Sequence, residues 1–297
     1  IMLKCLIWGN GRIFHQYINT IKYYENLGEI GIVGISSNMV IFDNILGYKC
    51  YNPERVTLLT FDVVIVMADD HLFIEIKKEI ERFGIDKKIV PYKVLTIPKV
   101  DLKRYMEIIN NNVSIFANNC WGGLVYHRLG LQFRSPLINM FFHDEDYLKF
   151  LSNPRKYINT KLSLKKEYFV EETQKSFPIC QCDDILLYFN HSESFEEANS
   201  TWEKRKKRIN WDNIFVMMYT ENKDVALDFS KLPYSKKVCF VPFQTDIECL
   251  FSLDFYEKDE LSKLEFWQIV NGSISGMFEC YDLVELLCSG KILRTAE

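Results

Sequence analysis

The sequence predicts an α/β protein with two domains, each a mainly parallel sheet flanked by helices. Two observations lead to this fold class. Short apolar runs alternate along the chain with segments in which apolar residues recur at helical spacing, a pattern typical of strand–helix–strand units. The chain of 297 residues is also too long for one compact core to be the default, so two domains are expected.

The first domain begins with a strand, a glycine turn, a helix and a second strand. The apolar run "MLKCLIW" precedes the turn Gly9-Asn10-Gly11, and "GIVGIS" follows after a segment of helical periodicity. This order is the start of a Rossmann-type unit. We therefore expect the first domain to be Rossmann-like, and we expect the same of the second domain. Because backbone N–H groups at such a turn can approach a phosphate, Gly9, Gly11 and Ser36 are candidate residues for binding a nucleotide cofactor.

The nucleotide-binding fingerprint of this turn is incomplete. Phe14 occupies the position where a third small residue would let the helix pack closely on the strand. The acidic residue that holds a ribose in NAD-binding domains is absent from the end of the second strand, where Ser36-Ser37-Asn38 stand. The sequence therefore argues against NAD-dependent chemistry. It leaves two alternatives open, a turn that serves only the fold and a turn that still binds a nucleotide.

The rest of the first domain continues the same alternation. "FDVVIVMADD" predicts a buried strand, "HLFIEIKKEIERFGI" an amphipathic helix that ends at Gly84, and "KKIVPY" a last short strand. This layout resembles the small nucleotide-binding domains that precede many bacterial enzymes of sugar modification and polysaccharide assembly. The resemblance implies that the glycine turn faces a sugar nucleotide.

The boundary between the domains is expected near two prolines. Pro91 and Pro98 discourage continued regular structure, and "KVDLKRYMEIINNN" predicts a short helix with an asparagine-rich end. We therefore place the first domain at residues 1–98 and the second at residues 99–297.

The second domain shows five apolar runs with helical patterns between most of them, which predicts another mainly parallel sheet. The predicted strands are Val113–Ala117, Leu137–Phe142, Ile185–Phe189, Ile214–Tyr219 and Val238–Val241.

Polar side chains follow four of these strands. Ligands of open parallel sheets bind outside the carboxyl ends of the strands, so this rim is the predicted site. The candidate catalytic residues there are Asn118, His143, Asp144 and His191. The candidate substrate-binding groups are Asn119, Asn190 and the backbone amides of Gly122 and Gly123. Since Asn and Asp are also ordinary turn and cap residues, a purely structural interpretation stays open.

The segment "FFHDEDYLKFL" contains two carboxylates that are candidate metal ligands. Asp144 and Asp146 could hold Mn²⁺ or Mg²⁺ against a diphosphate, because such hard ions prefer oxygen ligands. Alternatively, Asp144 caps a helix and the acidic residues complement the helix dipole.

Three arginines are candidates for binding an anionic substrate group. "SESFEEANSTWEKRKKRIN" predicts a helix that starts with a capping box formed by Ser194 and Glu197, and Arg205 falls on its apolar stripe. A buried arginine needs an anionic partner, which is either a structural carboxylate or a ligand phosphate. Arg128 on the apolar face after the glycine pair and Arg134 in the next loop could complete an anion pocket.

Cys120 is a candidate nucleophile at the end of the first strand of the second domain. A catalytic thiol needs a base within hydrogen-bond reach, and His143 or His191 could supply one if their strands adjoin. The alternative is a small packing residue, because no local signature of known cysteine hydrolases surrounds Cys120.

Composition restricts the partners and the compartment. The chain is 48% hydrophobic and 26% charged with a net charge of −4, which argues against disorder and gives no reason to expect nucleic acid as a partner. No apolar stretch approaches the roughly 20 residues of a membrane span, and no signal peptide is recognisable. Nine cysteines, mostly within apolar runs, indicate free thiols in a reducing cytoplasm. Cys180-Gln181-Cys182 lacks a second ligand pair for zinc, so we interpret these residues as thiols at a strand edge.

Long segments of the second domain resemble a bacterial family defined as a domain of unknown function. They are "FANNCWGGLVYHRLGLQFRSPLINMFFHDEDYLKFL", "HSESFEEANSTWEKRKKRIN" and "KLPYSKKVCFV". The resemblance covers about Val113 to Asp282, and members of the family are often labelled exopolysaccharide biosynthesis proteins. It implies a role in surface polysaccharide assembly and carries over no catalytic residue.

Three functions are therefore expected as alternatives. The first is an enzyme that binds a nucleotide-activated sugar or phosphorylated glycan and transfers a sugar or a substituent. The second is a scaffold of the same pathway that binds glycan or nucleotide without catalysis, and the third is a transferase that uses Cys120. A homo-oligomer is compatible with each of them.

Overall fold

The structure, a computed structural model, describes five stretches of the chain. These are residues 2–38, 42–97, 100–253, 264–275 and 280–292. The chain divides into two compact units, Ile1–Met106 and Glu107–Glu297. Both units are α/β, and helices flank the sheet of each. Pro98, near which we expect the domain boundary, lies outside the described residues.

The sheet of the first unit is mainly parallel. Its described strands are β1 (Leu3–Trp8), β2 (Ile30–Ser36), β3 (Asn44–Ile45), β4 (Tyr48–Tyr51), β5 (Val63–Val66) and β6 (Lys88–Pro91). Their order is β3-β4-β2-β1-β5-β6, and each neighbouring pair is parallel except β3 and β4. The chain thus adds strands on one side of β1 and then on the other, so the carboxyl ends of β1 and β5 lie side by side.

The helices of the first unit include three that the sequence predicts, Arg12–Asn26, Asp70–Arg82 and Leu102–Asn111. The described helices are α1 (Arg12–Asn26), α2 (Pro53–Val56), α3 (Asp70–Arg82) and a 3₁₀ helix (Tyr92–Thr96), and α4 (Leu102–Asn111) begins in this unit. Helix α1 buries Phe14, Ile18 and Ile21 along one face. Strand β5 consists of four buried β-branched residues, as is typical of a strand inside a parallel sheet. The predicted order of strand, turn and helix in this unit is confirmed.

The second unit contains two separate sheets within the described residues. Its strands are β7 (Ser114–Ala117), β8 (Ser163–Val170), β9 (Lys175–Cys182), β10 (Ile185–Tyr188), β11 (Ile214–Tyr219), β12 (Lys237–Val241) and β13 (Leu250–Ser252). One sheet is parallel with the order β13-β12-β11-β7. The other is antiparallel with the order β10-β9-β8.

The helices of the second unit pack against these sheets around a core rich in aromatic residues. They are α5 (Trp121–Arg128), α6 (Asp144–Ser152), α7 (Pro154–Asn159), α8 (Phe195–Lys206), α9 (Lys223–Ser230), α10 (Phe266–Ser275) and α11 (Leu283–Ser289). No helix in the described ranges is both long and apolar enough to cross a bilayer.

The prediction of a strand over Leu137–Phe142 is wrong. These residues lie in an irregular segment, in which Phe141 forms an isolated antiparallel bridge with Tyr188. Asn139 has a φ of 61°, which interrupts the extended conformation. The apolar side chains of the segment are nevertheless buried, and a buried apolar run does not by itself distinguish a strand from a packed loop.

The parallel pairing expected for Ile185–Phe189 is also wrong. Residues Ile185–Tyr188 form β10, which pairs with β9 in the antiparallel sheet. The bridge between Phe141 and Tyr188 joins this sheet to the segment after Leu137, and Phe142 N donates to Asn118 O at 3.0 Å. These contacts, rather than a shared parallel sheet, bring the end of β10 towards the end of β7.

Candidate functional site

Gly9, the first glycine of the turn in the first unit, is required by the fold. Gly9 has a φ of 110°, and a Cβ at this position would lie 2.9 Å from Met67 O. Gly9 N donates to Ser36 O at 2.7 Å, and Ser36 Oγ donates to Tyr51 O at 2.9 Å. Gly11 precedes α1, and a Cβ there would meet nothing within 4 Å. Gly9 and Ser36 therefore join the ends of neighbouring strands, whereas Gly11 leaves open space at the helix N-terminus.

A thiol–imidazole pair lies at the carboxyl end of β7 in the second unit. Cys120 Sγ is 3.4 Å from His191 Nε2, within hydrogen-bond reach for sulfur. Cys120 is partly buried immediately before α5, and His191 is exposed in the turn after β10. Burial raises the pKa of the Cys120 thiol, so the neutral thiol is the resting form and the imidazole is positioned to accept its proton.

Asn118 holds the end of β7 against β11. Its Nδ2 donates to Tyr219 O at 2.9 Å, and its Oδ1 accepts from Tyr219 N at 3.1 Å. The side chain is 1% exposed and continues the hydrogen-bond ladder between the two strands. Both polar atoms of the amide are thus engaged with backbone, which gives Asn118 a positioning role next to Cys120.

Asn119 fixes the start of α5. Its Oδ1 accepts from Trp121 N at 2.9 Å, and its Nδ2 donates to Asn271 Oδ1 on α10 at 3.1 Å. Since the first amides of a helix lack intrahelical acceptors, this cap leaves Gly122 N and Gly123 N as the next donors of the first turn. A Cβ on Gly122 would lie 3.2 Å from Ile115 Cγ2, so this glycine also permits close packing of α5 on β7.

The histidine and acidic residues before α6 have partners within the protein. His143 is exposed at the N-cap of α6, and its ring lies 4.7 Å from that of Tyr188. Thr220 Oγ1 donates to Asp144 Oδ2 at 2.5 Å, and burial raises the pKa of this carboxyl. Asp146 Oδ2 accepts from Leu186 N at 3.1 Å. The acidic residues occupy the first turn of α6, but the expectation that Asp144 itself caps the helix is wrong, because His143 holds that position.

The two carboxylates therefore bind different parts of the protein. Among the described residues, no three His, Cys, Asp or Glu side chains are grouped so as to hold a metal ion. A site for Mn²⁺ or Mg²⁺ at Asp144 and Asp146 stays a prediction.

Arg205 extends from α8 to the irregular segment that follows α5. Its Nη1 donates to Ile138 O at 3.0 Å, and its guanidinium carbon is 5.1 Å from the ring centroid of Phe133. In the described part of the chain, no carboxylate forms an ion pair with Arg205. The expected burial of Arg205 is confirmed only in part, because the residue is half-buried, and this burial lowers the pKa of the guanidinium.

The other two candidate arginines lie elsewhere on this unit. Arg128 is half-buried at the end of α5, and Arg134 lies beside the buried hydroxyl of Tyr126. Arg205, but neither of these two, lines the cavity next to His191.

The capping box expected at the start of α8 is confirmed in its main contact. Ser194 Oγ accepts from Glu197 N at 3.2 Å. The return contact is displaced by one residue, because Glu197 Oε2 accepts from Glu193 N at 2.8 Å. The turn before this cap carries Asn190, which is exposed, and His191.

Among the described residues, Cys5, Cys50, Cys120, Cys180, Cys182, Cys239 and Cys249 are free thiols. The interpretation of Cys180 and Cys182 as thiols at a strand edge is wrong, because both are fully buried in β9, the central strand of the antiparallel sheet. Burial raises the pKa of each of them to about 12. Cys120 differs from this pair in being partly exposed beside a histidine.

The sequence did not single out Asn139, Thr201 or Trp202, which line the cavity beside His191 together with Arg205. Thr201 and Trp202 precede Arg205 by four and three residues, so helical spacing alone places them on the same face of α8. Asn139 carried no comparable signal, because its left-handed backbone conformation cannot be recognised from one residue type.

Together these contacts define an α/β protein with a thiol–imidazole pair at the carboxyl end of a parallel strand. Residues 91–287 match the family described as "Domain of unknown function (DUF1919)", and the chain belongs to this family. Residues 1–90 match the family described as "C2185-like, N-terminal".

A relative from Haemophilus influenzae carries the description "Uncharacterized protein". It is 33% identical to this chain over 138 residues, which are 45% of the chain and 64% of the relative. The chain thus covers less than two thirds of that protein's length.

Proposed function

We propose that the second unit is a transferase that moves an acyl substituent by way of Cys120. The observation that carries this proposal is the distance of 3.4 Å between Cys120 Sγ and His191 Nε2. A thiol becomes an effective nucleophile when a base lies within hydrogen-bond reach, and an imidazole is the usual base near neutral pH.

The proposed reaction transfers an acyl group from an activated ester or thioester to a hydroxyl group. Cys120 Sγ attacks the carbonyl carbon of the donor while its proton passes to His191 Nε2. The bond between this carbon and the leaving group breaks, and the leaving group takes the proton. The acceptor hydroxyl then attacks the thioester and gives its proton to His191, and the departing Cys120 sulfur recovers it.

The first turn of α5 is suited to stabilise the oxyanion of each addition step. Gly122 N and Gly123 N lie two and three residues after Cys120, in the first turn of α5, and helix N-termini favour negative charge. Asn118 and Asn119 act as positioning residues in this proposal, because their side chains hold β11, α5 and α10 around the thiol.

The proposed acceptor is a phosphorylated or nucleotide-activated sugar of surface polysaccharide assembly. The support is the resemblance of "FANNCWGG" and the following segments to proteins labelled exopolysaccharide biosynthesis. In the same proposal the first unit is a Rossmann-like domain, and the protein works in the cytoplasm, where reducing conditions keep Cys120 free.

Two other functions stay predictions that no specific contact favours. One is transfer of the sugar itself with a metal ion on Asp144 and Asp146. The other is a scaffold that recognises glycan without catalysis. The thiol–imidazole contact is the observation that separates the acyl transferase from both.

The proposal is tested by the reactivity of the thiols towards iodoacetamide at pH 7, quantified for each cysteine by peptide mass spectrometry. Cys249 is the matched control, because it is also partly buried with a raised pKa. We expect Cys120 to be alkylated about tenfold faster than Cys249, since general-base assistance contributes at least this much. Equal or slower labelling of Cys120 would contradict its role as nucleophile.

A further inference from the structure

We propose that the cavity beside His191 is a subsite for a phosphate group, with Arg205 and the indole N–H of Trp202 as its principal donors. That an anion binds here is inferred from the residues of the cavity alone. The assignment of this anion to the substrate rests on the function proposed above.

The cavity is small and largely polar in character. Its volume is about 50 Å³, several times the space that one water molecule needs. Three parts of the second unit form its wall, namely the irregular segment between α5 and α6, the turn after β10 and one face of α8. The lining residues used in the argument are Asn139, His191, Ser192, Thr201, Trp202 and Arg205.

Arg205 supplies a positive charge with which no carboxylate among the described residues forms an ion pair. It contacts the carbonyl of Ile138 and the ring of Phe133. Both groups are neutral, whereas a buried guanidinium is usually paired with a carboxylate. A guanidinium has five N–H donors, and one bond to Ile138 leaves capacity for a bound anion.

Trp202 supplies the second, independent observation. The side chain is 1% exposed, and among the described residues none accepts a hydrogen bond from its Nε1. Buried indole N–H groups normally have a partner, so an unsatisfied donor lies on a residue of the cavity wall. Trp202 and Arg205 are three residues apart on α8 and therefore share one face of the helix.

Glu197 also lines the cavity, and its negative charge would repel an anion bound close to it. Its Oε2 accepts from Glu193 N as part of the cap of α8, and the residue is exposed to solvent. Because its charge is solvated and engaged with the backbone, Arg205 remains the dominant charge on the inner wall. Ser192 and Thr201 add hydroxyl groups that can donate to phosphate oxygens.

The cavity adjoins the reactive pair. His191 lines it and also contacts Cys120, so one residue is shared by the two parts of the site. Asn139, on the cavity wall, lies close to the first turn of α5. A Cβ added to Gly123 in that turn would be 3.6 Å from Asn139 Oδ1. A substrate that places its phosphate here would present neighbouring atoms to the thiol. Combined with the sugar acceptor proposed above, this makes a phosphorylated sugar the class of substrate.

The test follows the indole N–H resonances of the full chain in ¹⁵N NMR spectra during titration with inorganic phosphate, glucose 1-phosphate and UDP. Trp202→Phe assigns the Trp202 signal. The Trp121 indole is the internal reference, because its Nε1 donates to Tyr281 Oη at 3.1 Å. We expect a saturable shift of the Trp202 signal with at least one phosphate compound and a constant Trp121 signal. Preference for glucose 1-phosphate over UDP identifies a sugar phosphate, and the reverse preference identifies a nucleotide diphosphate.

Arg205→Gln is expected to weaken this binding by about tenfold or more, since it removes a charged hydrogen-bond donor. Arg208→Gln is the matched control, because Arg208 also donates to a carbonyl of the same segment, at Phe133 O, but does not line the cavity. The proposal is overturned if the Trp202 signal of the wild-type protein moves with none of the three compounds, or if both arginine variants bind equally well.

The same titration in Cys120→Ala separates this inference from the proposed reaction. Phosphate binding is expected to persist there, because Cys120 does not line the cavity. Binding without thiol reactivity would contradict only the transferase, whereas thiol reactivity without binding would contradict only the subsite.

Discussion

Replacing His191 with alanine is expected to slow acylation of Cys120 by p-nitrophenyl acetate at pH 7 by about 100-fold, the lower range of general-base effects. The reason is the contact of 3.4 Å between the thiol and the imidazole, together with the burial that raises the pKa of Cys120. Without a base, the reaction depends on the small fraction of spontaneously ionised thiol. The rate is measured as the initial release of nitrophenolate.

Two controls define this experiment. Cys120→Ala is expected to remove the initial release altogether. His143→Ala tests the other histidine that the sequence offered as base, and its rate is expected to stay near that of the wild type, because the His143 ring packs against Tyr188 at the start of α6. A large loss in His143→Ala with none in His191→Ala would reverse the assignment of the base.

The pH dependence of the acylation rate is a second way to compare the wild type with His191→Ala. Because the pKa of Cys120 lies above the ordinary value of a thiol, the thiolate fraction in His191→Ala grows throughout the neutral and mildly alkaline range. The acylation rate of that variant is therefore expected to rise continuously with pH. The wild type is expected to show a weaker dependence, since His191 accepts the proton during the attack.

Replacing Asn118 with alanine is expected to lower the free energy of unfolding by about 2–6 kcal/mol, since two backbone groups lose their partners at about 1–3 kcal/mol each. Tyr219 N and Tyr219 O both bond the Asn118 side chain, which is 1% exposed between β7 and β11. Chemical denaturation followed by far-UV circular dichroism measures the change.

Asn190→Ala is the matched control for this substitution. Asn190 is exposed in the turn after β10, and its replacement is expected to change the stability by less than about 0.5 kcal/mol. Equal stabilities for the two alanine variants would show that Asn118 does not tie the strands together.

The parallel sheet of the second unit could be predicted because its strands are short, buried apolar runs. Val113–Ala117, Ile214–Tyr219 and Val238–Val241 correspond to β7, β11 and β12. The antiparallel sheet was harder to recognise. Nearly every residue of β8 is exposed, so this strand shows no apolar face from which a period of two could be read.

Part of the convergence of the candidate residues was predictable, although some of them meet for a different reason. Residues after β7 and β11 do meet at the carboxyl edge of one parallel sheet, as Asn118 and Thr220 show through their contacts with neighbouring strands and α6. His191 reaches Cys120 by another route, in which Phe141 pairs with Tyr188 outside any regular sheet. No periodicity in a single sequence encodes such an isolated contact.

The helical phase of Arg205 predicted its burial but not its partners. The stripe on α8 places Trp202 and Arg205 on one face, and both residues are buried or partly buried there. The sequence could not show that a carbonyl rather than a carboxylate would face the guanidinium. It also could not show that the Trp202 indole would lack an acceptor in the described structure.

The most direct test of the central claim is the identification of the acylated residue. The protein is treated with p-nitrophenyl acetate, quenched in acid, digested and analysed by mass spectrometry before and after mild hydroxylamine, which cleaves thioesters. The account predicts one dominant acetyl group, located on Cys120, removed by hydroxylamine and strongly reduced in His191→Ala. Acetylation spread over lysines and other thiols, with Cys120 unmodified, would contradict it.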